Sequence, residues 1–281
     1  MTTWRSLWAE AEAALRSGID ARRIVERASG YDGAELLVHL DERAPERAVP
    51  FVESMVARRA AGEPLQYVIG RWGFRALDLY VDRRVLIPRP ETEAVVEVAL
   101  GELRRLEVRG RSAVVADLGT GSGAIALSMA SEGRAVVWAS DVSAGALAVA
   151  RANLAGLGSR HARSVRLVQG RWFDALPGEL RGGIDVVVSN PPYVADGEAL
   201  PAEVAGWEPP EALFAGATGL EAVAEIVAAA PAWLARPGAL VVEIAPHQAT
   251  AALRMARQAG LDGVTVRPDL QGRPRALVAR V

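Results

Sequence analysis

The chain has 281 residues, of which 51% are hydrophobic and 23% charged, and its formal net charge of −2 provides no overall basic field for holding nucleic acid. It contains no cysteine, which excludes disulfides and thiolate-bound zinc, and its three scattered histidines lack metal-ligand spacing, so we expect no metal. The first residues lack the pattern of a signal peptide, and no apolar run is long enough to span a membrane, which predicts a cytoplasmic protein.

Three apolar stripes at helical spacing predict short helices in residues 1–71. The stripes consist of Trp4, Leu7, Trp8, Ala11 and Leu15, then Leu36, Leu37 and Leu40, then Phe51, Val52, Met55 and Val56. Asp32 is placed to cap the second helix, and Gly62 and Pro64 end the third. We interpret residues 1–71 as a small helical bundle in which these stripes form the core.

Residues 72–88 have a different pattern. Leu77, Leu79 and Val81 alternate with polar neighbours, and Val85–Ile87 follow a short charged turn. This arrangement predicts a β-hairpin with these two arms, ending at Pro88. We therefore assign residues 72–88 to a hairpin linker.

From residue 89 to residue 281, predicted helices and strands alternate. The predicted strands are Val114–Ala116, Val136–Ala139, Val165–Val168, Ile184–Val188 and Ala239–Ile244, and the helices between them are Ala124–Ala130, Ala144–Leu157 and Leu220–Leu234. Such alternation predicts an α/β domain with a parallel sheet and helices on both faces.

A glycine-rich segment follows the first of these strands. Asp117 precedes Gly119, Thr120, Gly121, Ser122 and Gly123, which open the next helix. Glycine lets the backbone approach a ligand without a Cβ clash, and open α/β sheets bind ligands at this place. The spacing is neither that of a dinucleotide fingerprint nor that of a phosphate-gripping loop. A glycine-rich turn without a ligand is the alternative.

Asp141 lies where a nucleoside-binding site formed by this segment would need an acid. Asp141 ends the next strand, 20 residues after Gly121, and a carboxylate there can accept hydrogen bonds from both ribose hydroxyls. The alternative is that Asp141 only caps the helix beginning near Ala144. The combination of strand, loop, helix, strand and acid favours a nucleoside site.

The strongest local signal is Ser189-Asn-Pro-Pro-Tyr193, directly after an apolar strand. The prolines stiffen the loop and donate no N–H, and Asn190 adds a side-chain carbonyl. An NH2 group held between the Asn190 oxygen and the Pro191 carbonyl has both hydrogens engaged, so its lone pair points toward an electrophile. Tyr193 can pack on a flat conjugated group. A Pro-Pro turn that merely ends the strand is the alternative.

These motifs resemble the class I methyltransferases that act on amino or amide NH2 groups and, more narrowly, the HemK/PrmC glutamine methyltransferases. The narrower resemblance spans about residues 30–281. It is carried by Glu63–Gly70, Gly73-Phe74, Val85–Glu93, Glu208–Leu213, Gly219-Leu220, Glu243, Gln248, Asp269–Gly272 and Arg275.

The resemblance implies a helical N-terminal domain, a hairpin linker and a seven-stranded methyltransferase sheet. Because a loop that carries one glutamine offers too little surface for specific recognition, we expect the N-terminal domain to recognise the substrate. It also implies that S-adenosyl-L-methionine is the donor and S-adenosyl-L-homocysteine the product. The implied acceptor is the glutamine of the Gly-Gly-Gln motif in class-one peptide chain release factors. A sister family methylates a ribosomal-protein glutamine, but its linker typically has Pro-Arg-Ser-Pro where this chain has Pro88-Arg-Pro-Glu-Thr-Glu93.

Specific residues take roles from the resemblance. Asp117, Gly119–Gly123 and Asp141 match the donor-binding positions, and Trp172 matches the position whose ring lies against the adenine. Pro192 and the catalytic candidates Asn190, Pro191 and Tyr193 match the glutamine-binding positions, with Asn190 also close to the donor. The family often has an acid at the position of Arg171, so its contact to the adenine amino group is not carried over. Without the resemblance, Trp172 reads as core packing.

Two other classes of function remain as alternatives. An adenine N6-methyltransferase of DNA or RNA would use Asn-Pro-Pro-Tyr equally well, but it must also unstack a base and grip phosphates, and no basic tract is present. A nucleoside-binding protein without activity would not need a loop that orients an acceptor. We therefore expect a monomeric enzyme with a release factor as its partner and no nucleic-acid or membrane partner.

Overall fold

The computed structural model describes residues 2–158, 161 and 163–281. The chain divides into two compact units. The first runs to Arg71 and also includes Pro201–Trp207, and the second comprises Trp72–Leu200 and Glu208–Val281.

Helices build the first unit, as predicted. Up to Arg71 they are α1 (Trp4–Leu15), α2 (Gly18–Ser29), α3 (Ala34–His39), α4 (Ala48–Ala60) and α5 (Leu65–Ile69), and Pro201–Trp207 adds the short helix Ala202–Ala205. Trp4, Leu7 and Met55 are buried in their shared core, whereas Leu37 and Phe51 of the predicted stripes are exposed. Arg59 on α4 holds Pro201–Trp207 within this unit, because its guanidinium pairs with Glu203 at 2.7 Å.

The predicted capping role of Asp32 is wrong. The residue at the N-cap of α3 is Gly33, and no side chain caps this helix. Asp32 contributes only its backbone carbonyl, which accepts a hydrogen bond from the N–H of Glu35 at 3.2 Å. Gly33 has a φ of +60°, a conformation that glycine adopts more readily than residues with a Cβ.

A hairpin follows Arg71, but its position differs from the predicted one. β1 (Trp72–Phe74) pairs antiparallel with β2 (Leu77–Leu79). Val85–Ile87 form no strand. The preceding charged residues close a tight turn, in which Asp82 accepts from the backbone N–H of Arg84 at 3.0 Å, and the Ile87 N–H donates to the Glu208 carboxylate at 3.2 Å rather than to a strand.

The second unit contains the predicted seven-stranded sheet. Its strands are β3 (Val114–Leu118), β4 (Val136–Asp141), β5 (Val165–Gln169), β6 (Ile184–Ser189), β9 (Leu234–Glu243), β10 (Asp262–Pro268) and β11 (Pro274–Arg280). Between β6 and β9, the short strands β7 (Val194–Ala195) and β8 (Phe214–Gly216) pair separately. The sheet order is β10-β11-β9-β6-β3-β4-β5. The strand β11 runs in the direction opposite to the other six. The fold class predicted from the sequence is confirmed.

Among the described residues, the helices that accompany the sheet are α6 (Pro90–Leu106), α7 (Ala124–Glu132), α8 (Ala144–Gly156), α9 (Glu221–Trp233) and α10 (Ala249–Gln258). α6 begins with Pro90, whose missing N–H costs nothing in the first turn, and carries Glu91 and Glu93 at the positive end of its dipole. Ile184–Ser189 of β6 are all buried, as expected for a central parallel strand covered on both faces.

The order of the strands determines where a ligand can bind. From β3 the chain builds outward through β4 to β5, then returns to place β6 on the other side of β3. Ligands of open α/β sheets bind at the carboxyl ends of the strands where the order reverses in this way. The loops after β3 and β6 therefore meet at one edge, with Leu118 in register with Ser189.

Candidate active site

A cavity of about 330 Å³ lies at this edge of the sheet. Eight residues singled out from the sequence line it: Gly119, Thr120, Gly121, Ser122, Asp141, Trp172, Asn190 and Pro192. The lining thus combines the glycine loop, Gly119–Gly123, with part of the acceptor loop, Asn190–Tyr193. Four of the singled-out residues, Asp117, Gly123, Pro191 and Tyr193, do not line it.

Asp117 supports the glycine loop from below. Its carboxylate accepts from the Thr120 hydroxyl at 2.6 Å and from the Ala126 backbone N–H at 3.0 Å. It is fully buried, and burial raises its pKa to about 7, with a smaller contribution from the charge of Asp141. Asp117 therefore fixes the shape of the loop without reaching the cavity.

The backbone of the glycine loop is conformationally demanding. Gly119, Gly121 and Gly123 have φ values of +76°, +55° and +87°, which residues with a Cβ rarely adopt. A Cβ on Gly119 would also come within 3.1 Å of the Trp172 ring. Gly123 is the N-cap of α7 and packs on Leu127, which explains why it contributes to the loop but not to the cavity.

Asp141 joins the end of β4 to this loop. One carboxylate oxygen accepts from the Gly121 backbone N–H at 2.9 Å, and the other accepts from the Ser143 N–H at 2.9 Å. Ser143, and not Asp141, caps α8 through its side chain. Burial raises the pKa of Asp141, and the nearby charge of Glu211, which also lines the cavity, raises it further.

Trp172 forms one wall of the cavity in a constrained conformation. Its φ is +43°, and its indole N–H donates to Glu225 at 2.9 Å. Arg171 pairs with the same carboxylate at 2.7 Å and lies 5.6 Å from the centre of the Trp172 ring. Arg171, which also lines the cavity, thus holds the wall in place together with Glu225, a residue to which the sequence reasoning gave no role.

The acceptor loop leaves β6 next to β3. The Ser189 hydroxyl donates to the Leu118 carbonyl at 2.6 Å and so ties the two strand ends together. The Asn190 amide NH2 donates to the Thr92 hydroxyl oxygen at 3.2 Å. Asn190 and Thr92 both line the cavity, so the loop presents an oriented amide to it.

Gln248 fixes the far end of the acceptor loop. Its side-chain NH2 donates to the carbonyls of Tyr193 at 3.0 Å and Gly219 at 2.9 Å, and its oxygen accepts from the Ala245 N–H at 3.0 Å. A Cβ on Gly219 would approach the Tyr193 carbonyl to 2.6 Å, so only glycine fits there. Sequence reasoning noted Gln248 and Gly219 in the family pattern but gave them no role.

A group of charged side chains surrounds Tyr193 outside the cavity. Burial, followed by the charge of Glu243, raises the pKa of Tyr193 to about 12. Glu243 is itself fully buried at the end of β9, where burial raises its pKa to about 7. The nearest cation is Arg275, at 3.9 Å from a Glu243 oxygen.

The described part of the chain contains neither a group of side chains suited to a metal nor a helix suited to a membrane. Within residues 2–158, 161 and 163–281, no three histidine, cysteine or acidic side chains form a group that could hold a metal. In the same residues, no helix is both long and apolar enough to cross a bilayer.

Family models match both units of the chain. Residues 6–70 match the PrmC N-terminal domain, and residues 102–205 match the methyltransferase small domain. The chain is 41% identical over 265 residues to a release factor glutamine methyltransferase of Cereibacter sphaeroides, covering 93% of this chain and 90% of that protein. It is 42% identical over 257 residues to the protein of the same name from Bordetella pertussis, covering 90% of this chain and 91% of that protein.

Among solved structures, the catalytic domain of hMettl16 in complex with MAT2A 3′UTR hairpin 6 superposes with a TM-score of 0.55. The two sequences are 16% identical, and the match covers 84% of this chain and 81% of the other. Identity this low shows a common fold and nothing about the substrate.

Proposed function

The chain belongs to the release factor glutamine methyltransferase family, and we propose that it transfers a methyl group from S-adenosyl-L-methionine to the side-chain amide nitrogen of the glutamine in the Gly-Gly-Gln motif of class-one peptide chain release factors. The observation that carries this proposal is the meeting of the glycine loop and Asn190 in one cavity, on the adjacent strands β3 and β6. A donor and an acceptor held on these two loops lie within reach of each other.

The residues of the cavity fit the proposed donor. Gly121 has no Cβ, and nothing lies within 4 Å of the place where one would be, so its backbone is open to a ligand. The Asp141 oxygens each accept one backbone hydrogen bond, and each has lone-pair capacity left for a ribose hydroxyl. Trp172 offers an aromatic wall for the adenine. The carboxylates of Asp141 and Glu211 favour a ligand that carries positive charge.

Asn190 is suited to hold the acceptor. Its NH2 group is committed to Thr92, so its oxygen is the atom left to accept a hydrogen bond from the substrate. A glutamine NH2 that donates to this oxygen and to the Pro191 carbonyl has both hydrogens engaged and its lone pair exposed. Pro192 closes the same side of the cavity with a rigid ring.

When bound, S-adenosyl-L-methionine supplies an electrophilic methyl group on a positively charged sulfur. The amide nitrogen forms the new bond to carbon, the sulfur–carbon bond breaks, and S-adenosyl-L-homocysteine remains as product. One proton leaves the methylated nitrogen, which is acidic enough to lose it to water. The residues of the site contribute orientation rather than acid–base catalysis, which is consistent with the unreactive character of Asn190 and the prolines.

The helical unit is the proposed contact for the body of the release factor. A loop that carries one glutamine offers little area, whereas specific protein interfaces bury about 800 Å² per partner. Ile19, Leu37, Val38 and Phe51 of this unit are exposed apolar side chains suited to such a contact. We propose that the enzyme works as a monomer in the cytoplasm, where its substrate acts.

Transfer of labelled methyl groups from S-adenosyl-L-methionine tests this function directly. Purified release factor, ribosomal protein, DNA and RNA are offered in parallel to the same enzyme preparation. Label on release factor that is lost when the Gly-Gly-Gln glutamine is replaced supports the proposal. Label on adenine or on a ribosomal protein overturns it in favour of one of the two rival substrates.

A further inference from the structure

Glu243 is a buried acid without an assigned role. It ends β9, which is adjacent to β6 in the sheet, and its side chain is fully buried. Neither carboxylate oxygen has a hydrogen-bond partner among the described residues. Buried polar groups are normally hydrogen-bonded, because leaving one unpaired costs the full free energy of removing it from water. A buried carboxylate this close to the acceptor loop therefore needs an explanation.

Thr92 connects Glu243 to Asn190. It lies in the first turn of α6, which packs against β9, and it is 4% exposed. Its hydroxyl oxygen accepts from the Asn190 NH2 group. As a hydrogen-bond donor, the same hydroxyl lowers the pKa of Glu243, although no hydrogen bond joins the two side chains in this structure.

The three side chains differ in what they can donate. An ionised carboxylate only accepts hydrogen bonds, a hydroxyl donates one proton, and an amide can turn either its oxygen or its NH2 group toward a neighbour. If the Thr92 hydroxyl donates its proton to an ionised Glu243, its oxygen is left to accept from the Asn190 NH2 group, and this second bond is the one that the structure contains. The opposite, flipped orientation of Asn190 would need a Thr92 proton that is already used.

We propose that Thr92 and Glu243 are positioning residues that fix the Asn190 amide with its oxygen toward the substrate NH2 group. This inference rests on the proposed function and deepens it. In a flipped orientation, Asn190 would present an NH2 group to the glutamine NH2 group, and two donors cannot bond. The chain of hydrogen bonds from Glu243 through Thr92 to Asn190, called the relay below, therefore determines whether the acceptor nitrogen can be held at all.

Protonation of Glu243 reverses the relay. The protonated acid donates to Thr92, the Thr92 proton then goes to the Asn190 oxygen, and the amide flips. The pKa of Glu243 is raised to about 7, because burial and the charge of Glu91 outweigh Thr92, Arg275 and Arg89, which lower it. Tyr193 also faces Glu243, and Asp269 lies 3.8 Å from Arg275. Methyl transfer should thus depend on a group that must be ionised near neutral pH.

The test is the pH profile of kcat for methylation of intact release factor by the full-length protein at saturating S-adenosyl-L-methionine. Saturation removes any influence of Asp117, whose pKa is also about 7 but which acts on the donor side. We expect wild-type kcat to rise to a plateau as the pH passes through about 7. Glu243→Gln and Thr92→Val should lower the plateau by about 10- to 100-fold, because small misplacements of a reacting group can cost that much in rate, and should abolish the pH step.

Three controls separate positioning from a structural role. Thr92→Ser keeps the hydroxyl and should restore most of the lost kcat, and Glu97→Gln on the same helix should leave the profile unchanged. S-adenosyl-L-homocysteine should bind the Thr92→Val protein as it binds wild type. If Thr92→Val or Glu243→Gln has the kcat of wild type and the same rise of kcat near pH 7, this inference is overturned, while the proposed function is not. A wild-type protein that does not methylate release factor overturns the proposed function and this inference with it.

Discussion

The Asp141 carboxylate accepts a hydrogen bond from the backbone N–H of Gly121 at 2.9 Å, across 20 residues of chain. The acid at the end of β4 and the middle of the glycine loop are therefore one structural unit. The same carboxylate also accepts from the N–H of Ser143, which leads into α8. Asp141 therefore shapes the glycine loop whether or not it also contacts a ligand.

Asp141→Ala is expected to weaken binding of S-adenosyl-L-homocysteine by about 2–4 kcal/mol, because two ribose hydroxyls lose a charged acceptor. Titration calorimetry measures the dissociation constant, with the exposed Asp174→Ala as the control that should bind normally. An unchanged dissociation constant in Asp141→Ala would restrict Asp141 to support of the loop.

Gly119→Ala should impair donor binding for two reasons that can be separated. Its positive φ costs about 1–2 kcal/mol for any residue with a Cβ, and the new Cβ would press on the Trp172 ring at 3.1 Å. Gly30→Ala in the first unit has the same φ problem, at +81°, but nothing within 4 Å. Both variants should lose free energy of unfolding in a urea titration, and only Gly119→Ala should also lose affinity for S-adenosyl-L-homocysteine. Equal affinities would show that the Trp172 contact is unimportant.

Much of this arrangement could be predicted from the sequence, because the central strands are largely apolar and end in distinctive motifs. The sheet edge that joins Gly119–Gly123 to Asn190 follows from Val114–Ala116 and Ile184–Val188 being parallel neighbours. The hairpin was misplaced because Val85 and Ile87 are buried by packing without belonging to a strand, and periodicity cannot distinguish the two cases.

The supporting contacts were beyond sequence reasoning for a different reason. Thr92 and Asn190 are 98 residues apart, and their contact depends on how α6 packs on the sheet. Gln248 bonds to the carbonyls of Tyr193 and Gly219, which no spacing rule brings together. Glu243 did leave a signal, since an acid that directly ends the apolar run Leu240–Val242 lies at the carboxyl edge of the sheet, where ligands bind.

The free energy of unfolding should fall as the pH rises from about 5 to 7. Burial raises the pKa of both Asp117 and Glu243 to about 7, so the folded protein binds more protons than the unfolded chain in this window. One such proton corresponds to about 1.4 kcal/mol per pH unit. Acids with lowered pKa values, such as Glu102, are ionised in both states above pH 5 and do not contribute there. Urea unfolding at several pH values measures the slope.

Glu243→Gln removes one of the buried acids with a raised pKa, so it should make this slope clearly smaller while raising the stability at pH 7. Glu97→Gln is the matched control, because Glu97 is exposed and its pKa is lowered by Arg104 and Arg75. A slope in Glu243→Gln equal to that of wild type would mean that Glu243 is already ionised at pH 5.

Val38→Glu should reduce kcat/KM for intact release factor by about tenfold, since buried apolar contacts at the centre of an interface are worth about 1–2 kcal/mol or more. Val38 is 80% exposed on α3 of the helical unit. Leu270→Glu is the matched control, because Leu270 is fully exposed in the second unit and has no proposed contact. S-adenosyl-L-homocysteine should bind both variants normally. Equal kcat/KM values in the two variants would argue against docking through this part of the helical unit.

In the proposed reaction, Asn190 holds a glutamine amide in front of a bound methyl donor. The most direct test of this role is single-turnover transfer of labelled methyl to intact release factor by wild type and Asn190→Ala, with donor affinity measured in parallel. We predict that wild type places the methyl group on the Gly-Gly-Gln glutamine, and that Asn190→Ala loses transfer while binding S-adenosyl-L-homocysteine within about tenfold of wild type, because orientation alone can contribute several kcal/mol to catalysis. Transfer by Asn190→Ala at the wild-type rate would contradict the account.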